Sequence, residues 1–156
     1  MTLPYAHIAC CIDDSPAAAD ALAQALDLWR ASDGRLSLVR AAPHPLLVEE
    51  VDGELVALPA DINAAARRSL DARARAIPGA EPVFLEGLAG PEVCRWAGEA
   101  AVDLLVTGAG RRRLEGLLLG SFSRYVVGNA PCPVLVVRRT ASPLRGEGPT
   151  PEEVVS

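Results

Sequence analysis

The chain contains no lysine; all fifteen of its basic residues are arginine. A Walker-type phosphate loop needs a lysine to reach the β- and γ-phosphates, so that class of ATPase is excluded, and Schiff-base chemistry with it. Histidine is nearly as scarce. His7 and His44 have no motif partner and read as a satisfied strand histidine and a loop histidine. Ser121 lies in Gly-Ser-Phe-Ser, not in the GxSxG elbow that a serine hydrolase would present. The SGGxDS loop of adenylating α/β enzymes is missing as well.

Only six of the 156 residues are aromatic, while half are apolar. The core must therefore be built from Ala, Val, Leu and Ile, as in α/β proteins, and the length is that of one domain able to bury a core of its own. Cys10, Cys11, Cys94 and Cys132 show no CxxC spacing of a zinc or thioredoxin-like site and read as small buried hydrophobes in a reducing compartment. No segment approaches the ~20 apolar residues of a membrane span, and no basic stretch precedes the first short apolar run. A cytoplasmic location is expected, with no membrane partner. The net charge of -5 argues against nucleic acid as a partner, because affinity for a phosphate backbone rests on clustered positive charge. Arg111, Arg112 and Arg113 are a local exception.

Strands and helices alternate along residues 1–139. His7 to Ile12 reads as a strand, and Ser15-Pro16 as a helix start, with Ala19, Leu22, Leu26 and Trp29 on one helical face before Gly34 ends the unit. A second strand spans Leu36 to Ala42. Between Pro43 and Ala60, two apolar runs flank Asp52-Gly53; this is either a small hairpin or a loop covering the core. Asp61 is expected to cap a helix reaching Ile77, with Ile62, Ala65, Ala66 and Leu70 inward and Arg67, Arg68, Arg73 and Arg75 on a solvated face. Pro82 to Glu86 is the third strand, Gly90-Pro91 opens the next helix, and Asp103 to Thr107 is the fourth strand. A helix over Gly120 to Gly128 precedes the fifth strand, Val134 to Arg138. Residues 140–156, rich in Pro, Gly, Thr and Glu, are expected to be a disordered tail. The pattern predicts a three-layer, doubly wound α/β sandwich on a mainly parallel sheet.

The most informative stretch is Leu104 to Arg138. A buried strand ends at Gly108-Ala109-Gly110, and nine residues later Gly120-Ser121 opens a helix. Glycine lets backbone approach a ligand, and a helix start presents unpaired N–H groups and partial positive charge. Gly120, Ser121 and Phe122 are thus candidate anion donors. The alternative is a tight turn serving only the fold. Arg111 to Arg113 either reach phosphates or are a solvated charge run. Gly108-Ala109-Gly110 follows a late strand and Arg113 stands at the third glycine position, so a dinucleotide fingerprint is not expected.

Gly110, nine residues, Gly120-Ser121 and then Asn129-Ala130-Pro131-Cys132-Pro133 resemble the universal stress protein family, as does the opening strand with Asp13-Asp14-Ser15-Pro16. The resemblance spans roughly residues 5–139. It implies five strands in the order 3-2-1-4-5 and an adenine nucleotide, ATP or a relative, in the crevice between strands one and four. Asp13 would then hold base or ribose; otherwise it only complements the helix start. Gly110, Gly120, Ser121 and the Phe122 N–H would cradle phosphates, with Arg111 as a further contact and Mg²⁺ accompanying them. Three positions depart from the family pattern. Thr107 stands where the first motif glycine belongs, with the glycine at Gly108; Ala41 replaces a Val commonly packed beside the base; and Asp14 replaces a small residue. An extra carboxylate there is unfavourable near a triphosphate unless a metal or arginines offset it. The implied role is nucleotide sensing in a homodimer joined through strand 134–138. A nucleotide-free dimeric interaction module and a slow ATPase are the alternatives.

Overall fold

The computed structural model describes residues 2–43, 48–57, 60–110 and 119–138, and only the backbone at 48–51, 55–57 and 60–62. Arg111 to Arg113, His44 and the 140–156 tail lie outside the described residues. In chain order the elements are β1 (His7–Cys11), α1 (Pro16–Arg30), β2 (Arg35–Ala42), β3 (Val48–Val51), β4 (Glu54–Ala57), α2 (Ala60–Arg75), β5 (Ala80–Glu86), α3 (Ala89–Glu99), β6 (Leu104–Gly108), α4 (Ser121–Asn129) and β7 (Val134–Val137).

The main sheet is wholly parallel in the order β5-β2-β1-β6-β7. Counting only its own strands, this is the expected 3-2-1-4-5. Side-chain alternation along the strands separates two apolar layers. Ile8, Cys10, Leu36, Leu38, Leu104 and Val106 face Ala21 and Ala25 of α1 and Leu70 and Ala74 of α2. Ala9, Cys11, Val39 and Leu105 face Val93 and Ala97 of α3 and Val126 of α4. Pro82 is tolerated because β5 is an edge strand.

Of the two readings of 43–60, the hairpin is the one observed. β3 and β4 pair antiparallel, and Asp52 and Gly53 turn between them with φ +54° and +82°. Two consecutive positive φ values are what a type I′ hairpin turn requires, and Asp-Gly supplies them.

Several local expectations are corrected. α1 turns Ala18, Ala21 and Ala25 inward and leaves Ala19 exposed. Gly34 is not its cap; the helix ends at Ala31, and a side chain at Gly34 would collide with the backbone carbonyls of Tyr5 and Ala6. Asp61 lies inside α2, which already starts at Ala60. Among its described side chains the inward stripe of α2 is Ala66, Leu70 and Ala74, with Ala65 outward; the Ile62 side chain lies outside the described ones. Its arginines are not merely solvated: Arg67 lies 4.1 Å over the Phe84 ring and pairs with Glu86 at 2.9 Å.

His7 is satisfied, as expected. Its Nδ1–H donates to the Ala100 carbonyl at 3.1 Å, which leaves Nε2 to accept from the Ser37 hydroxyl at 2.8 Å. Asp103 accepts from the Ala6 and His7 N–H groups, tying β1 to the start of β6. The cysteines are less uniform than expected, since Cys10 and Cys11 are buried but Cys94 and Cys132 half-buried. All four thiols are free. Burial pushes the Cys10 thiol up to about 12 and also raises Cys11, Cys94 and Cys132, so they remain protonated and poorly nucleophilic.

Candidate functional site

β1 and β6 are neighbours, but the connections leaving them run in opposite directions across the sheet, β1 toward β2 and β6 toward β7. The two connections diverge, and a crevice opens at the carboxyl ends of the strands. A cavity of about 380 Å³ lies there, within the range of small-molecule sites. Asp13, Ala41, Thr107, Gly108, Gly110, Gly120, Ser121 and Phe122 all line it. Residues far apart in sequence are thus brought together around one cavity. Arg111 lies outside the described residues.

One wall is built by the turn after β1. Cys11, Ile12, Asp13 and Ser15 line the cavity. Ser15 caps α1, accepting from the Ala18 N–H at 3.2 Å, with Pro16 at the first helical position. The Asp13 carboxylate accepts the Ser15 N–H at 2.7 Å through Oδ1, which fixes the turn, and the residue is exposed. Ala17 and Ala18 from α1 and Val39 and Ala41 from β2 form an apolar side, continued by Ala89 and Val93 of α3. Sequence reasoning did not single out Val39, Ala89 or Val93. Their signal was the strand end and helix start on which they fall.

The opposite wall is the crossing of the two glycine turns. Gly110 has φ +93°, and a Cβ there would lie 2.9 Å from the Gly120 Cα. The Gly120 N–H donates to the Ala109 carbonyl at 2.7 Å, so the ends of the 110–120 segment are pinned together. α4 begins immediately after. Gly120 is its N-cap without a side-chain hydrogen bond, and the N–H groups of Ser121, Phe122 and Ser123 have no acceptor within the helix. Ser123 is buried, and its hydroxyl donates to the Gly108 carbonyl at 2.6 Å, clamping the start of α4 onto the end of β6. The Gly120 N–H, expected as an anion donor, is thus already engaged by Ala109; the cradle presents the N–H groups of the first turn of α4 and the Ser121 hydroxyl, with no side chain at Gly110 or Gly120 to obstruct an oxyanion.

Two departures from the motif acquire a physical reading. The Thr107 side chain is buried, with its hydroxyl 3.3 Å from the Gly108 carbonyl. The displaced glycine serves packing, because a Cβ at Gly108 would come within 2.8 Å of the Ala17 backbone. Asp14, by contrast, does not line the cavity. It turns toward α2 and pairs with Arg40 through two contacts of 3.2 and 3.0 Å. The Arg40 hydrogen bond lowers its pKa from the ordinary value, helped by the charges of Arg40 and Arg73 and by Ser69.

A parallel sheet with a glycine-lined cleft at its switch point is a doubly wound α/β domain. The sequence profile described as the universal stress protein family matches residues 4–138, and the chain belongs to that family. A universal stress protein of Methanocaldococcus jannaschii is 44% identical over 57 residues, which is 36% of this chain and 34% of that relative; the aligned part thus spans about a third of the relative's length. The structure of UspA from Lactobacillus plantarum superimposes with a TM-score of 0.70 at 23% identity, covering 88% of this chain and 100% of that one. A crystal structure of a universal stress protein in complex with cAMP gives a TM-score of 0.64 at 23% identity, over 88% and 100% of the two chains. Among the described residues, no helix is long and apolar enough to cross a membrane.

Proposed function

We propose that this chain binds an adenine nucleotide, ATP or a relative, in the crevice between β1 and β6, and that it acts as a nucleotide-responsive module in a stress response. The observation that carries the reading is the Gly110–Gly120 crossing at the start of α4, where backbone N–H groups and the Ser121 hydroxyl converge without an intervening side chain. The apolar side of Val39, Ala41, Ala89 and Val93 suits a planar base, and the Asp13 carboxylate suits an exocyclic amino group or ribose hydroxyls. The cAMP complex of a relative with the same fold supports an adenine ligand.

Mg²⁺ would arrive on the phosphates. Among the described residues, no group of three His, Cys, Asp or Glu side chains is arranged to hold a metal, so the ion would keep phosphate and water ligands, with Ser121 Oγ as the candidate protein contact. It would neutralise phosphate charge there. Retention fits the site better than turnover. Among the described lining residues Asp13 is the one carboxylate, it already accepts the Ser15 N–H, and none is a histidine.

A homodimer through β7 belongs to the same reading. β7 is the last strand of the sheet, so one of its edges offers backbone groups to a second copy.

The test is thermal denaturation with and without ATP and Mg²⁺. A ligand selective for the folded state adds about 2.7 kcal/mol at ~100 times its Kd, and Ser121→Ala should reduce the effect without abolishing it. No shift at millimolar ATP, together with a silent calorimetric titration, would falsify the proposal.

A further inference from the structure

Every residue from Cys11 to Ser15 lines the cavity except Asp14. On the adjacent strand Val39 and Ala41 line it and Arg40, between them, does not. The two residues that turn away meet each other. Arg40 Nη1 and Nη2 reach the two carboxylate oxygens of Asp14 at 3.2 and 3.0 Å, the forked geometry that fixes both position and orientation. Two side chains of α2 complete the grip: the Ser69 hydroxyl donates to Asp14 Oδ1 at 3.4 Å, and Arg73 Nη2 stands 3.9 Å from the same oxygen. The Arg40 side chain is only 18% exposed, whereas that of Asp14 is 59% exposed. The arginine is packed in place and the carboxylate is free to swing once released.

We propose that Arg40 is a positioning residue: by holding Asp14 against α2 it keeps a second carboxylate out of the anion cradle, and so sets phosphate affinity without touching the ligand. The inference rests on the nucleotide reading above. Asp14 lies between two cavity-lining residues, Asp13 and Ser15, so its charge, once released from Arg40, stands one residue from the cavity wall. Coulomb repulsion over the width of such a site, partly screened by water, amounts to roughly tenfold in affinity. The departure at Asp14 is thus compensated by Arg40, Arg73 and Ser69, one partner from β2 and two from α2.

The experiment compares the parent protein, Arg40→Met and Arg40→Met/Asp14→Asn by calorimetry with two probes, ATP with Mg²⁺ and uncharged adenosine. Arg40→Met should lose roughly tenfold in ATP affinity while adenosine binding changes little, and the added Asp14→Asn should restore ATP. Should Arg40→Met fail to fold, Arg40→Lys retains the charge but not the fork and should show a smaller loss confined to ATP. Equal losses for ATP and adenosine, or no rescue by Asp14→Asn, would overturn the positioning role in favour of a structural one. Unchanged ATP affinity in the Arg40 variants overturns it too, with the nucleotide reading intact. A parent that binds neither probe overturns both.

Discussion

Gly110→Ala is the substitution whose consequence the structure specifies most closely. At φ +93° an L-residue is strained by about 1–2 kcal/mol. The new methyl carbon would sit 2.9 Å from the Gly120 Cα and 3.0 Å from its nitrogen, against the 3.4–4 Å of ordinary contact. Both neighbours are backbone, so relief requires the start of α4 to move. That movement strains the 2.7 Å bond from the Gly120 N–H to the Ala109 carbonyl, worth about 0.5–1.5 kcal/mol net. The sum is roughly 2–3 kcal/mol, or a fall in Tm of about 5–10 °C for a domain of this size. Gly120→Ala is the matched control. Its φ of -69° suits any residue, and its Cβ would lie 3.3 Å from the Gly110 Cα, so less than about 1 kcal/mol is expected. Urea denaturation of both variants, with unchanged m-values, gives the difference directly. Gly110→Ala within about 0.5 kcal/mol of the parent, or costing no more than Gly120→Ala, would refute the close crossing on which the cradle depends.

The other predictions concern the edge strand and the acidic turn. The Pro133 and Val137 carbonyls accept from the Leu105 and Ala109 N–H groups, so in a parallel ladder the backbone groups of Val136 point to the free edge; Val136→Pro should spare the sheet yet shift a dimer toward monomer in sedimentation, and an unaffected dimer places the interface elsewhere. Asp14 has a folded-state pKa below its ordinary value of 3.8, so its contribution to stability is present above that value and lost as pH falls through the folded pKa. Asp14→Asn should therefore be less stable than the parent at neutral pH and converge with it in acid, as followed by urea midpoints across the carboxylate range; a gap that persists in acid rules out the ionised pair as its source.

Much of the fold was legible because its signals are local. Apolar runs bounded by Ser15-Pro16 and Gly90-Pro91 mark the alternation of strands and helices, and Asp52-Gly53 marks a turn that only positive φ can make. Helix faces were read less well. In α1 and α2 the apolar residues are largely alanine, which suits either side of a helix, so periodicity did not separate Ala19 and Ala65 from Ala18 and Ala66. The arginines of α2 misled for a related reason. A long stem with a charged head looks solvated in sequence, yet Arg67 covers Phe84 and Arg73 reaches Asp14 only because β5 and the β1–α1 turn pack alongside.

For the candidate site, the sequence by itself determined the chemistry of the pieces: glycines where backbone must come close, a helix start after Gly120, a carboxylate at Asp13, and no lysine anywhere. These depend on single residues and their neighbours. Tertiary structure decided which pieces meet and which way they face. The crossing of Gly110 with Gly120, the Ser123 clamp on Gly108, and the turning of Asp14 toward Arg40 and away from the cavity join residues from different strands and helices. No local pattern encodes them, because a side chain's direction at such a turn is set by the partner that packing brings within reach.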